Sequence, residues 1–301
     1  MNEDHEVFIA PGSGFCKGVA FAVQKALDVA KNKKEGSVFL DGELVHNRAV
    51  GERLYAQGIR PLQRNSKIHG GDTILIRAHG ISPKRRLFLE HFGCKIEDCT
   101  CPLVRKISRI MEANRHRQII LLGDRNHPEI EGLCGYAENI RVCENLKELS
   151  QLIAEVCQNK KTDKNFLDNK NFKGTENWIM LCQSTLDMDF LEAAKNLCGE
   201  KNFSVEIFDT ICSATKRRQS GLEVLKDCDA VIVVGGFHSA NTKRLFEKMK
   251  RQVAAVFWIE KVGDLAPINW RIYPKIGIAA GASTPQSAME NIYGEISKKI
   301  A

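Results

Sequence analysis

The chain has 301 residues, 43% of them apolar and 27% charged, the make-up of a folded globular protein long enough for two or three domains. A net charge of +7 at pH 7 suits anionic substrates or acidic partner proteins, while the scatter of the basic residues and the lack of a basic stripe interleaved with aromatics argue against nucleic acid. The start, Met1-Asn2-Glu3-Asp4-His5, lacks the apolar segment of a leader and no apolar run approaches the ~20 residues of a membrane span, so a cytoplasmic protein is expected, its 11 cysteines reduced or metal-bound rather than paired.

Short apolar runs alternate with helix-forming stretches along the whole chain, the pattern of parallel α/β layers. Strands are expected near 7–10, 38–41, 73–77 and 94–97, then near 118–122, 140–143, 178–181 and 205–208, and finally near 230–234, 255–259 and 276–280. Helices should follow most of them, and Pro83 and Pro285 stand near helix starts, where a missing N–H costs little. The expected fold is α/β: three similar lobes of mainly parallel sheet flanked by helices, spanning 1–98, 99–208 and 209–301, with the C-terminal helix returning to the first lobe. Element order carries this expectation, since no sequence repeat accompanies it. The Lys/Asn/Asp-rich segment 158–177 reads as a polar surface loop. Lys84-Arg85-Arg86 and Lys216-Arg217-Arg218 are expected on solvated helix faces.

Three cysteines share one context. Cys16, Cys101 and Cys212 each follow a short strand and open a helix. The carboxyl ends of strands are where open α/β sheets bind ligands, so three such thiols from three lobes could meet at one central cavity. A metal centre held by three thiolates keeps a coordination position open for chemistry. Their separations match no local ligand motif, and three buried thiols remain an alternative. Cys99 competes with Cys101 in Cys99-Thr100-Cys101-Pro102, and composition does not choose between them. Cys134, Cys143, Cys157, Cys182, Cys198 and Cys228 are expected to be small buried hydrophobes.

The strand ends carry the remaining candidates: Leu44-Val45-His46-Asn47, Arg77-Ala78-His79-Gly80, Gly123 to Glu129 with His127, Gln183-Ser184-Thr185, Gly235 to Asn241 with Ser239, and Gly281-Ala282-Ser283-Thr284. Ser, Asn and backbone N–H groups at helix starts bind phosphate oxygens, histidines add donors, and Glu129 could deliver a proton. Singly, each serine could be a plain N-cap, each histidine a structural hydrogen-bonder, and Glu129 a complement to a helix dipole. Gly235-Gly236 fits no nucleotide-loop fingerprint, and His5, His69, His91 and His116 read as solvated.

Taken together and in order, Gly14-Phe15-Cys16-Lys17-Gly18-Val19, Val45-His46-Asn47, Ala78-His79-Gly80, Thr100-Cys101-Pro102-Leu103-Val104, His127-Pro128-Glu129-Ile130-Glu131-Gly132, Cys212-Ser213-Ala214-Thr215, Ser239-Ala240-Asn241 and Ala280-Gly281-Ala282-Ser283 resemble the 4-hydroxy-3-methylbut-2-enyl diphosphate reductase family. That family supplies the last enzyme of the non-mevalonate isoprenoid pathway. The resemblance runs nearly the whole length. It implies three α/β lobes around a [4Fe–4S] cluster with one open iron, held by Cys16, Cys101 and Cys212, which settles Cys101 over Cys99. It further implies that His46, His79, Ser239, Asn241 and Ser283 hold the diphosphate. His127 and Glu129 would lie near the substrate hydroxyl, with Glu129 as proton donor, and Ser184 stands where a Thr of the substrate pocket is usual. The implied reaction removes the allylic hydroxyl with two electrons and two protons, giving isopentenyl and dimethylallyl diphosphates and water. The implied electron donor is an acidic ferredoxin or flavodoxin, in keeping with the basic chain.

The chain departs from the family pattern at three places. Pro11-Gly12-Ser13-Gly14-Phe15-Cys16 replaces a usual Pro-Arg-Gly-Phe-Cys, Ala240 replaces a usual Ser, and His238 stands where an Asn is common. Three rivals share parts of the pattern: an iron–sulfur sensor, which needs no polar pocket; a zinc hydrolase, for which three thiolates are unusual; and a redox-neutral dehydratase with an open-iron cluster.

Overall fold

The computed structural model describes residues 5–162 and 177–300. In chain order the elements are β1 (Glu6–Ile9), α1 (Lys17–Asn32), β2 (Val38–Asp41), α2 (Arg48–Ala56), β3 (Ile59–Pro61), β4 (Thr73–Ile76), α3 (Pro83–Glu90), β5 (Lys95–Asp98) and α4 (Pro102–Ala113). They continue with β6 (Gln118–Leu122), α5 (Pro128–Leu133), β7 (Ile140–Cys143), α6 (Leu146–Thr162), β8 (Trp178–Cys182), α7 (Met188–Glu200), β9 (Glu206–Ile207) and α8 (Ser213–Gly221). The last are β10 (Ala230–Val234), α9 (Ala240–Lys250), β11 (Ala255–Ile259), β12 (Lys275–Ala280) and α10 (Gln286–Ile300). Among the described residues no helix is long and apolar enough to cross a membrane.

The strands pair in parallel in three four-stranded sheets, ordered β3-β2-β4-β5, β7-β6-β8-β9 and β11-β10-β12-β1. The three orders are the same order. In each sheet one central strand is followed by a neighbour on one side, and the chain then crosses back to the other side. That reversal is the switch point at which such sheets receive ligands. Alternate residues feed different cores: Ala230, Ile232 and Val234 pack on one face of β10, Val231 and Val233 on the other. Burial on both faces explains why β8 and β10 read in the sequence as unbroken apolar runs and why only Thr73 interrupts β4.

The repeating object is the sheet and not the contiguous third of the chain. β1 is the fourth strand of the last sheet, paired with β12 from Glu6 opposite Lys275 to Ile9 opposite Ile278. The first expected lobe therefore loses its opening strand to the third. α10 packs on β1 and β12, so it meets the N-terminal segment within that same sheet. With β1 so placed, Cys16, Cys101 and Cys212 each follow the fourth strand of a sheet, and each directly precedes a helix, α1, α4 or α8. One strand was not anticipated: β3 has a single buried residue, Ile59, and ends on Pro61, which has no N–H for a ladder. α6 carries the start of the 158–177 segment as helix to Thr162; the expected loop at 163–176 lies outside the described residues.

The chain divides into two compact units. The first comprises Met1–Ala78, Leu89–Cys101 and Ser213–Ala301 and contains the sheets of β2 and β10. The second comprises His79–Phe88 and Pro102–Cys212 and contains the sheet of β6. Helical spacing drives the packing. In α4, Val104, Ile107, Ser108 and Met111 form one buried stripe, and Ile107 and Met111 join Ile119 and Leu121 of β6 in a common core. Truncating Ile107 to alanine there removes about 2–5 kcal/mol.

Candidate active site

In the first unit the thiols of Cys16 and Cys101 converge over the start of α1. Cys16 caps that helix, its sulfur accepting from the Val19 N–H at 3.4 Å. Its own N–H donates to the Ala282 carbonyl at 3.3 Å, and Gly14 donates to Ala280 at 3.4 Å, so the Cys16 loop is fastened to the end of β12. Gly14 takes a φ of +86°, a conformation that the loop reaches without side-chain strain only because it is glycine. The Cys101 N–H donates to Ala78 at 2.9 Å. A methyl group at position 18 would stand 2.5 Å from the Cys101 sulfur and 3.8 Å from that of Cys16. Glycine at 18 thus forms a cradle holding two thiols close together, as a shared metal centre needs. Cys99 is fully enclosed among Val38, Leu40, Leu75 and their neighbours, so the structure separates it from Cys101.

The same unit gathers the strand-end groups of two sheets. His46, after β2, pairs through Nδ1 with the Glu43 carboxylate at 2.9 Å. The Ser283 hydroxyl, after β12, donates to the His46 carbonyl at 3.1 Å. Ser239, after β10, caps α9 by accepting from Thr242 N–H at 3.3 Å. In the first turn of that helix Asn241 holds a buried amide nitrogen with no hydrogen-bond partner among the described residues. A buried donor left unsatisfied costs about 1–3 kcal/mol, which a bound acceptor such as a phosphate oxygen would recover. A cavity of about 610 Å³ is lined by His46 and Asn47 together with Gly236, His238 and Glu260.

The second unit brings a carboxylate, two histidines, a serine and a cysteine backbone together. Pro128 opens α5, with His127 as its cap. The His127 Nδ1 accepts from the Glu129 N–H at 3.1 Å, which assigns the proton of the neutral ring to Nε2. The ring meets that of His79 edge-on, centroids 5.2 Å apart. Glu129 is 1% exposed. Its two carboxylate oxygens accept from the backbone N–H and the hydroxyl of Ser184, each at 2.6 Å. The Ser184 carbonyl in turn accepts from the Cys212 N–H at 2.9 Å. Ser184 therefore links the carboxylate to the backbone of Cys212, the third candidate ligand.

Three residues at or beside these sites do work that their sequence context did not assign to them. Gln183, fully buried at the end of β8, accepts from the Asp124 N–H at 3.0 Å and so braces the loop leading to His127. Thr210 both accepts from the Cys182 N–H at 2.8 Å and donates to its carbonyl at 2.6 Å, fixing the approach to Cys212. Arg218 is 2% exposed, which corrects the expectation that all of Lys216-Arg217-Arg218 is solvated. Its spacing of three from Thr215 and from Gly221, all buried, was the available signal. Of the thiols expected to be buried, Cys143, Cys182, Cys198 and Cys228 are, whereas Cys134 and Cys157 are only partly so; burial pushes Cys143 and Cys228 up to about 11, keeping both protonated and inert.

Comparison with known proteins matches residues 7–297 to the family described as LytB protein. Proteins named 4-hydroxy-3-methylbut-2-enyl diphosphate reductase from Opitutus terrae and from Caldanaerobacter subterraneus subsp. tengcongensis are 33% and 31% identical, each over 97% of this chain and over 99% and 96% of their own lengths. The solved E-1-hydroxy-2-methyl-but-2-enyl-4-diphosphate reductase of Plasmodium falciparum is similar with a TM-score of 0.82 at 27% identity, covering 97% of this chain and 87% of that one. A second solved structure, described as (E)-4-hydroxy-3-methyl-but-2-enyl diphosphate reductase, the terminal enzyme of the non-mevalonate pathway, is similar with a TM-score of 0.66 at 30% identity over 98% and 99% of the two chains. Sheet order, thiol placement and similarity along nearly the whole length agree: this chain belongs to the LytB protein family.

Proposed function

We propose that this chain is an oxidoreductase that removes the allylic hydroxyl of 4-hydroxy-3-methylbut-2-enyl diphosphate. Two electrons and two protons enter, and isopentenyl or dimethylallyl diphosphate and water leave. The observation that carries this reading is the chain from Glu129 through Ser184 to Cys212, a buried acid wired to a candidate metal ligand. Cys16, Cys101 and Cys212 would hold a [4Fe–4S] cluster with one iron free of protein thiolate, and the Gly18 cradle fits two of those sulfurs. When bound, such a cluster passes electrons singly and offers a Lewis-acidic iron.

The chain's own groups then bind, orient and protonate. His46, His79, Ser239, Asn241 and Ser283 hold the diphosphate, with the unsatisfied Asn241 amide as one donor. That binding energy, remote from the reacting carbon, holds the hydroxyl in place for cleavage. His127 donates through Nε2 towards the hydroxyl end. Glu129 in its protonated form supplies one proton: the Ser184 hydroxyl beside it passes its own proton onward and takes the carboxyl proton in its place, leaving Glu129 ionised. An acidic one-electron carrier, a ferredoxin or flavodoxin, suits the +7 chain, and 11 free thiols suit the cytoplasm. The test is anaerobic turnover of this substrate with a reduced one-electron mediator. Reductant-dependent release of the two isomeric diphosphates is expected. A fully loaded protein that leaves the substrate untouched, or converts it without reductant, overturns the proposal.

A further inference from the structure

The buried face of α8 is polar. It begins directly after Cys212, and Thr215, Arg218, Gln219 and Gly221 are buried on it. Arg218 donates from Nη2 to the Gly14 carbonyl at 2.9 Å, two residues before Cys16. Around that bond the helix and the 11–14 turn touch backbone to backbone. A methyl at Gly221 would stand 2.1 Å from the Pro11 carbonyl oxygen, and one at Gly12 would stand 3.1 Å from the Arg218 nitrogen. A guanidinium is charged at every physiological pH, and enclosing one is costly unless anionic or carbonyl groups answer it.

We propose that Arg218 is a positioning residue for the Cys16 loop and the fixed positive charge that sets how readily a redox group held by that loop is reduced. The inference rests on the cluster reading above. One hydrogen bond orients the turn that delivers the Cys16 sulfur. The charge offsets the negative charge that three thiolates bring to a cluster and favours the reduced state, because local charge and hydrogen bonding set cluster potentials.

The experiment compares wild type, Arg218→Gln and Arg218→Lys, each loaded anaerobically with iron and sulfide. Two quantities are read: the midpoint potential by mediated redox titration, and the rate of iron release to a chelator. Arg218→Gln is expected to have a more negative potential and to release iron about tenfold faster, the weight of one charge-assisted hydrogen bond. Arg218→Lys is expected to recover the potential but still to shed iron faster, since an ammonium keeps the charge without the planar fork. A loaded Arg218→Gln protein with the wild-type potential overturns the inference alone, even if its thermal stability falls. If that variant does not fold, Arg218→Lys decides: faster iron release at unchanged potential supports the inference, and a shifted potential with wild-type release overturns it. A wild type that takes up no cluster defeats the cluster reading, and this inference with it.

Discussion

In the first unit His46, Ser239 and Ser283 are hydrogen-bonded within the protein, while Asn241 keeps a buried amide nitrogen without a partner among the described residues. In the second unit they are closed on one another, with both oxygens of Glu129 taken by Ser184 and His127 bonded to the backbone of Glu129. Unsatisfied donors are prepared for an incoming anion; a satisfied, water-excluded acid is prepared to move a proton along a fixed route. Both units use small residues as fasteners. Ala282–Ser283 ties Cys16 to His46, and Ser184 ties Cys212 to Glu129. Variants of Asn241 and its first-unit neighbours should therefore act mainly on KM, and variants of the Glu129–Ser184 pair in the second unit mainly on kcat.

The largest effect should fall where the comparison does not apply, because both units contribute thiols. Cys16→Ser, Cys101→Ser and Cys212→Ser should each abolish turnover and lose iron, measured by iron content and visible absorbance. Cys99→Ser should keep the cluster. Glu129→Gln should lower kcat about 10²- to 10⁴-fold with iron content and KM little changed, in steady-state assays of the loaded protein. Asn241→Ala should instead raise KM about 10- to 100-fold, the weight of one hydrogen bond to a charged group, with a small change in kcat. A kcat loss there of the Glu129 size would break the division between units. Ser184→Ala should lower kcat about tenfold, because Glu129 keeps the backbone donor and loses the hydroxyl.

The smallest effect concerns stability. Asp72 accepts from the Ser37 and His69 N–H groups at 2.6 and 2.7 Å, and these bonds hold its carboxyl below the usual range. A carboxyl depressed in the folded state adds stability that is present above its unfolded value, near 3.8, and lost as pH falls through the folded value. Asp72→Asn should therefore cost about 1 kcal/mol at neutral pH and flatten the acid limb of a pH–stability curve followed by denaturant titration.

Much of this was legible in the residues. Strands at 38–41, 118–122, 140–143, 230–234 and 255–259 have the expected ends, and the signal is plainest at 118–122 and 230–234, where burial on both faces leaves a nearly unbroken apolar run. The thiols and the polar strand ends stood out because few other residues interrupt those runs. What stayed hidden is non-local. Nothing in Glu6–Ile9 says that its partner is β12, since an apolar run fixes a strand but not its neighbour. Arg218 looked solvated because its charge is local information, whereas the turn at 11–14 that covers it arrives from the other end of the chain. Gln183 and Thr210 are plain polar residues whose work is to brace backbone, and no spacing marks that.

Whether three thiolates hold a cluster with one open iron is decided by Mössbauer spectroscopy of the anaerobically loaded, iron-57-enriched protein, with and without the diphosphate substrate. The account predicts about four irons per chain, one of them distinct from its thiolate-bound neighbours and altered when substrate is added. A protein without iron, or one whose irons are all alike and indifferent to substrate, would contradict it.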